Sequence, residues 1–329
     1  MTYRKIAQLA GVSPSTVSKA LSGSSEISAE TSERIRKIAE ENGADRPKYR
    51  KDRSSTRIAV IVPEIISLYY SQLVSGVIGE LLLSGIEAYI YICGFTDERY
   101  REIIDILIDE GLTDGIISLA ENKYPHKISI PMVGLCDASR ASYYDVIGAD
   151  MQTGIYEAIE HLVSLGHRKI GFISETNTML KLKYFNSAAA QLEIPIDPQH
   201  IFVSDKRFEQ IGREAAEYYM KLQNRPTALI AAYDEVALGA IHTFAIGNIS
   251  VPGDISMIGM NDIPAASYAA TPLTTIRTFN SEIIRLGVKL LLDNIRDPEK
   301  HMTQSVLVRC ELIIRSTTAK IKNAGRENQ

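Results

Sequence analysis

From Ile58 onward the chain alternates short apolar runs with longer amphipathic stretches, and few folds can accommodate that order. IAVIVPE and EAYIYIC have the length and the β-branched and aromatic content of strands, while YYSQLVSGVIGELLLSG between them has helical spacing. DERYREIIDILIDEG then reads as a helix and DGIISLA as the strand after it. The order returns later, with KIGFIS, TALIAA and ISMIGM as strands and helices near 151–165, 207–222, 234–247 and 279–296. Strands linked through helices run parallel, because a parallel pair needs a long crossover, and the helices then cover both faces of the sheet. About 260 residues of this pattern are long for one hydrophobic core. Two similar lobes are therefore expected within residues 58–319, although no strict sequence repeat relates them.

Residues 1–45 follow a different pattern, that of three short helices. The first spans about Tyr3–Ala10, with Thr2 as its N-cap and Ile6, Ala7 and Ala10 at helical spacing. Gly11 ends it and permits a sharp turn. Ser13 caps the second helix, and Pro14 takes its first position, where the missing N–H is harmless. The third begins after Ser28, runs to about Glu41 and stops at Gly43. Residues 46–57, RPKYRKDRSSTR, hold six basic residues and one acidic residue and read as a linker. Residues 320–329, KIKNAGRENQ, form a polar tail.

Charge separates these regions. The net charge is −4, yet residues 1–57 hold 12 Lys/Arg against 7 Asp/Glu, while the remainder holds 24 against 33. A basic end on an acidic body implies that the end meets a polyanion. No apolar run approaches the ~18 residues of a membrane span. The opening MTYRKIAQLAG lacks the apolar core and cleavage site of a secretory signal, so a cytoplasmic location is expected. The 3 cysteines form no CxxC pair and the 6 histidines no HExxH spacing, so neither a metal nor another cofactor is expected. GxSxG, GxxxxGK[ST] and GxGxxG are all absent, which argues against an enzyme.

The stretch GVSPSTVSKAL gives the basic end a purpose. Val12, Val17, Ala20 and Leu21 can turn inward, leaving Ser15, Thr16, Ser18, Lys19 and Ser22 outward. A glycine turn before such a helix is the helix-turn-helix plan, in which the second helix enters the DNA major groove. Short hydroxyl side chains permit close approach, and Lys19 can reach a guanine or a phosphate. On these residues alone, a small solvated bundle used for protein contacts remains open.

KIAQLAGVSPSTVSKAL followed by ISAETSERIRKIAEENG resembles the head of the lactose/galactose-repressor (LacI/GalR) family of bacterial transcription regulators. HLVSLGHRKIGFI, RPTALIAAYDEVALGAI, VPGDISMIGMNDIP and TPLTTIRT resemble later segments of that family, in its order, over residues 3–316. The resemblance implies an all-α helix-turn-helix head and an α/β core of two doubly wound parallel-sheet lobes similar to periplasmic binding proteins. Lobe one would take about 58–157 and 278–306, and lobe two about 158–277 and 307–319. It implies a homodimer on a palindromic double-stranded operator, acting as a repressor. A small effector, a sugar or sugar phosphate, would lie in a cleft between the lobes. Residues 317–329 carry no apolar heptad, so a dimer rather than a tetramer is expected. DNA contacts would come from Thr2, Tyr3, Ser13, Pro14, Ser15, Thr16, Ser18, Lys19 and Ser22.

Two departures from the family pattern stand out. The linker is short and has no leucine to wedge into the minor groove, leaving Tyr49 as its large nonpolar residue. Arg46, Lys48, Arg50, Lys51 and Arg53 are then expected to bind phosphates without intercalation. In the effector cleft the matching motifs place Tyr69, Tyr70, Asp137, Lys181, Tyr233, Asp234, Asn261 and Asp262. Lys181 stands where the family usually has arginine, keeping the charge but losing the bidentate fork, and Tyr233 stands where asparagine is common. This unusual cleft leaves room for a regulator controlled by a partner protein, or without a small effector. A solute-binding protein would share the core but would need a secretory signal and no basic head.

Overall fold

The computed structural model describes residues 3–21, 27–41, 56–122, 124, 128–137, 143–300 and 302–321. The head consists of α1 (Tyr3–Ala10), α2 (Pro14–Leu21) and α3 (Ala29–Glu41). Ile6, Val17, Ala20 and Ile35 are fully buried, and Val12 and Leu21 pack against them. Gly11 makes the turn at φ 65, and the Val12 N–H donates to the Ala7 carbonyl at 3.0 Å. Ser13 Oγ accepts the Thr16 N–H at 3.1 Å and Ser28 Oγ accepts the Thr31 N–H at 3.2 Å. Each hydroxyl thus satisfies a backbone donor left over at a helix start. The expected Thr2 cap and Gly43 stop lie outside the described residues.

Contacts divide the chain into two compact units, the first taking 1–65, 72–147 and 284–305 and the second 66–71, 148–283 and 306–329. The sheet that holds the first unit's strands is built on β1 (Arg57–Val62), β2 (Glu87–Ile92), β3 (Gly115–Ser118), β4 (Met132–Gly134) and β5 (Asp145–Asp150), with β11 (Ser305–Arg309) at its edge. Their order is β11-β5-β4-β3-β1-β2, and β1 to β5 run parallel. Between the strands come α4 (Leu68–Leu83) and α5 (Asp97–Asp109). On α5, Tyr100, Ile103, Ile104 and Leu107 recur at helical spacing and are all buried. Gly115 lets α11 (Asn280–Arg296) approach, since a Cβ there would stand 2.8 Å from Ile295 Cδ1. The edge strand β2 leaves Tyr89, Ile90 and Ile92 exposed, and Leu82 and Leu83 at the end of α4 are exposed too.

The second unit repeats the plan. Its sheet joins β6 (Ile170–Glu175), β7 (Ile201–Ser204), β8 (Ala228–Ala231), β9 (Ser256–Asn261), β10 (Thr274–Arg277) and β12 (Glu311–Ile313). The order is β12-β10-β9-β8-β6-β7, with β12 antiparallel to β10 and the other pairs parallel. Counted from its own first strand, each sheet runs 2-1-3-4-5 before its last strand, the flavodoxin-like doubly wound order. The helices are α6 (Met151–Ser164), α7 (Met179–Gln191), α8 (Glu209–Lys221), α9 (Asp234–Ile246) and α10 (Pro264–Tyr268). Helices α8 and α9 touch backbone to backbone, because a Cβ on Gly212 would collide with the Val236 carbonyl and one on Gly239 with the Glu209 carbonyl. The contacts change unit between Ile147 and Gly148 and between Ile283 and Ile284, whereas the sequence division fell near 157 and 277. Helix α6 accounts for the first difference, since Ile155, Ala158, Ile159 and Leu162 all join the second core.

Candidate functional site

On α2 the buried and exposed faces are cleanly separated. Val17 and Ala20 are buried; Ser13, Pro14, Ser15 and Lys19 are exposed; Thr16 and Ser18 are half-exposed. Tyr3, on α1, is half-buried. Ser13 Oγ lies 2.7 Å from Ser15 Oγ and 2.8 Å from Thr16 Oγ1, a hydroxyl cluster at the start of the helix. Such groups donate to phosphate oxygens or to base acceptors, and the positive end of the helix dipole favours an anion beside them. Thr2, Ser22 and the linker residues Arg46, Lys48, Tyr49, Arg50, Lys51 and Arg53 lie outside the described residues.

Ligands of doubly wound sheets bind beyond the carboxyl ends of the strands, where the strand order reverses. In the second unit that place lies beyond β6 and β8. Glu175 ends β6 with its carboxylate 3% exposed. The Tyr233 hydroxyl, just after β8, donates to Glu175 Oε2 at 3.0 Å and accepts the Phe208 N–H at 2.9 Å. Arg207 Nε donates to the same Glu175 oxygen at 3.4 Å, and its guanidinium lies 4.5 Å from the centre of the Phe208 ring. Phe208 has φ 59 and ψ −139, a left-handed conformation that a side-chain-bearing residue holds only when its surroundings enforce it. Burial, then the neighbouring Glu175 charge, pushes the Tyr233 hydroxyl far above its ordinary pKa. Lys181, on α7, donates to the Ala232 carbonyl at 2.7 Å.

Beyond β9 the chain turns through Asn261 and Asp262, at φ 98 and φ 53. Asp262 is held by Arg277 Nε at 2.8 Å and by an Arg315 guanidinium nitrogen at 2.6 Å. Asp234 is 0% exposed, and its oxygens accept from the Ile263 N–H at 2.8 Å and the Thr275 hydroxyl at 2.6 Å. Tyr233, Asp234 and Asp262, which the family motifs placed in the effector cleft, bond groups of their own unit. The reason is burial, since a polar atom out of reach of water must find a protein partner. Asn261 and Lys181 are half-buried, as are Tyr69 and Tyr70, whose rings meet edge to face at 5.2 Å. Tyr69 and Tyr70 fall in the stretch 66–71 that groups with the second unit. Asp137 follows β4 in the first unit and is half-buried.

Residues 2–43 match the family model described as bacterial regulatory proteins, lacI family, and residues 159–318 match the periplasmic binding protein-like domain. The HTH-type transcriptional repressor CytR of Escherichia coli (strain K12) is 31% identical over 332 residues, 96% of each chain. This chain belongs to the LacI family. The HTH-type transcriptional repressor PurR of Photobacterium profundum is 26% identical, over 96% of this chain and 98% of its own. Among solved structures, a LacI-family regulator from Enterococcus faecium with bound ribose aligns at a TM-score of 0.69 and 25% identity, over 81% of this chain and 100% of that one. The lac repressor dimer bound to operator and the anti-inducer ONPF aligns at 0.71 and 22% identity, over 97% and 99%, and speaks for the fold alone.

This LacI-family protein is a DNA-binding transcriptional regulator and not an enzyme. Among its described residues no helix is long and apolar enough to cross a membrane. Sequence reasoning missed Glu175, Arg207, Thr275, Arg277 and Arg315, which organise the carboxyl edge of the regulator's second sheet. A signal existed for Glu175, a carboxylate closing the apolar run IGFIS. Arg207 carries none, because its partner Glu175 is 32 positions away.

Proposed function

We propose that this regulator is a repressor that works in the cytoplasm, binds a palindromic operator as a homodimer and is switched by a sugar or sugar phosphate. The observation that carries the reading is the outward face of α2, where Ser15, Thr16, Ser18 and Lys19 stand opposite a fully buried Val17 and Ala20. Thr2, Tyr3, Ser13, Pro14 and Ser22 are proposed as further DNA contacts. Arg46, Lys48, Tyr49, Arg50, Lys51 and Arg53 add phosphate contacts from the linker. The functional divisions are then a head of 1–45, a linker of 46–57, a two-lobed body of 58–319 and a tail of 320–329. Exposed Leu82, Leu83, Tyr89, Ile90 and Ile92 support a dimer, since an apolar edge strand left in water invites pairing. Two-fold symmetry in the protein would then be mirrored in the operator.

Ribose in the Enterococcus faecium regulator supports a carbohydrate effector. Asn261, Lys181, Tyr69, Tyr70 and Asp137 are the groups proposed to face it. Such a ligand alters operator affinity only if it favours one of two states of the dimer. A second reading, control by a partner protein without a small effector, draws support from Tyr233, Asp234 and Asp262, whose polar groups are engaged within the chain. The test is selection of genomic fragments on the purified dimer, followed by a thermal-shift screen with sugars and sugar phosphates. The operator reading expects inverted repeats, and a monomer with no preference for them overturns it. A sugar at ~100 times its dissociation constant adds ~2.7 kcal/mol, and a screen without any stabilising sugar turns the choice to the partner-protein reading.

A further inference from the structure

Asp234 opens α9, and its two oxygens reach different elements: Oδ2 accepts from Ile263 after β9, and Oδ1 from Thr275 on β10. Gly259 on β9 makes room for it, since a Cβ at that position would strike Oδ1. The carboxyl therefore ties α9 to the turn that carries Asn261 and Asp262. That turn needs a tie, because φ 98 and φ 53 are unfavourable for residues with side chains. The charged groups around it are Glu235 on its own helix, Asp262 on the turn, and Arg277 and Arg315, which both bond Asp262. On the β8 side Lys181 donates to the Ala232 carbonyl. Asp234 is thus a buried acid held by neutral donors, with carboxylates for near neighbours.

We propose that Asp234 is a positioning residue that sets the Asn261–Ile263 turn according to pH, holding it as a neutral acid and loosening it as a carboxylate. The neutral acid can still accept the Ile263 N–H at Oδ2, whereas a carboxylate there is a charge held out of water beside Glu235 and Asp262. On taking up a proton at Oδ1 the group becomes a donor there, and the Thr275 hydroxyl must turn its own hydrogen elsewhere. Burial lifts the carboxyl to about 7 even though the Thr275 and Ile263 bonds act to lower it, while Glu235 and Asp262 add to the rise. The exchange therefore falls near neutrality. Only its consequence, an effector response that depends on pH, rests on the reading above that Asn261 faces the effector.

Amide hydrogen exchange of the peptide spanning Met260–Ala266 tests this in the full-length protein, without ligand or DNA. After correction for the intrinsic pH dependence of exchange, protection of the Ile263 amide is expected to fall about tenfold from pH 6 to pH 8, as the closed turn loses the protonated form it favours. Asp234→Asn keeps the shape and cannot ionise, so its profile should be flat. Thr275→Val removes one donor to the carboxylate and should move the midpoint of the step to higher pH. A wild-type profile as flat as that of Asp234→Asn overturns the proposal, as does an unmoved midpoint in Thr275→Val. Should Asp234→Asn fail to fold, the Thr275→Val midpoint and a carboxyl carbon titrating near neutrality in the wild type decide the matter. A failed operator selection leaves this result standing, and a flat exchange profile leaves the operator reading standing.

Discussion

On α2 the polar groups of Ser15, Thr16 and Lys19 face outward from a buried row of Val17 and Ala20. At the carboxyl edge of the second sheet Glu175 and Tyr233 bond one another, and Tyr233 and Asp234 accept backbone N–H groups. The first set lies at the surface of the head, where it can meet DNA without disturbing the fold. The second set is satisfied only by protein, so removing one member strands another. A polar side chain read from the sequence thus means different things in the two places. In the head it is a surface group open to DNA; in the second unit it is a brace.

Substitutions can break that contrast, and glycines give the largest effect. Gly212→Val would drive a side chain into the Val236 carbonyl and the Ala240 N–H, parting α8 from α9. Backbone contacts cannot yield as a side chain can, so a loss of several kcal/mol is expected, enough to abolish the second unit's cooperative unfolding. Gly11→Ala in the head meets nothing within 4 Å and bears only the strain of φ 65, on the order of 1 kcal/mol. Denaturant unfolding of both variants measures the difference, and similar losses would contradict the packing argument.

Asp234 comes next. Its pKa is raised in the folded protein, from 3.8 to about 7, so the native state binds the extra proton between those values. Stability from this group is fully present below 3.8 and is lost as pH rises through about 7. Wild type measured against Asp234→Asn should lose on the order of 1 kcal/mol per pH unit across that window. Taking the difference cancels His161 and His167, whose burial lowers their pKa and gives the opposite trend on acidification. A difference that does not change with pH would refute the assignment. Tyr233→Phe follows, removing the donor to Glu175 and the acceptor for the Phe208 N–H, at about 1–3 kcal/mol. Ser15→Ala should change stability by less than about 0.5 kcal/mol while weakening operator binding. Equal destabilisation by the two would erase the contrast between contact and brace.

The sequence revealed most of the fold because most of it is locally periodic. β1, β6, β8 and β9 are apolar runs, and α5 and α8 bury one face each. The elements missed lack that contrast. β4 has 3 residues, β7 is only partly buried, and α7 buries small Ala188 and Ala189 beside Tyr184 and Phe185, with no Ser, Asp or Pro marking its start. The hydroxyl face of α2 was legible because helical spacing alone separates it from the buried side. The role of Tyr233 was not, because Glu175 lies 58 positions away and no periodicity connects them.

A last pair of substitutions separates cap from contact at Ser13, which lies on the hydroxyl face and also serves the fold. Its Oγ accepts the Thr16 N–H and touches the hydroxyls of Ser15 and Thr16. Ser13→Ala loses the cap, about 1 kcal/mol, and amide exchange in α2 should quicken accordingly. Ser13→Asp keeps an acceptor, and its charge suits the helix N-terminus, so exchange should stay near wild type. The same charge would repel phosphate, and operator affinity should fall further than in Ser13→Ala. If both variants follow helix stability alone, Ser13 is a cap and the DNA contact passes to Ser15 and Lys19. If affinity falls in Ser13→Asp while exchange holds, one hydroxyl braces its helix and faces the duplex, and the division between inward and outward polar groups runs through a single side chain.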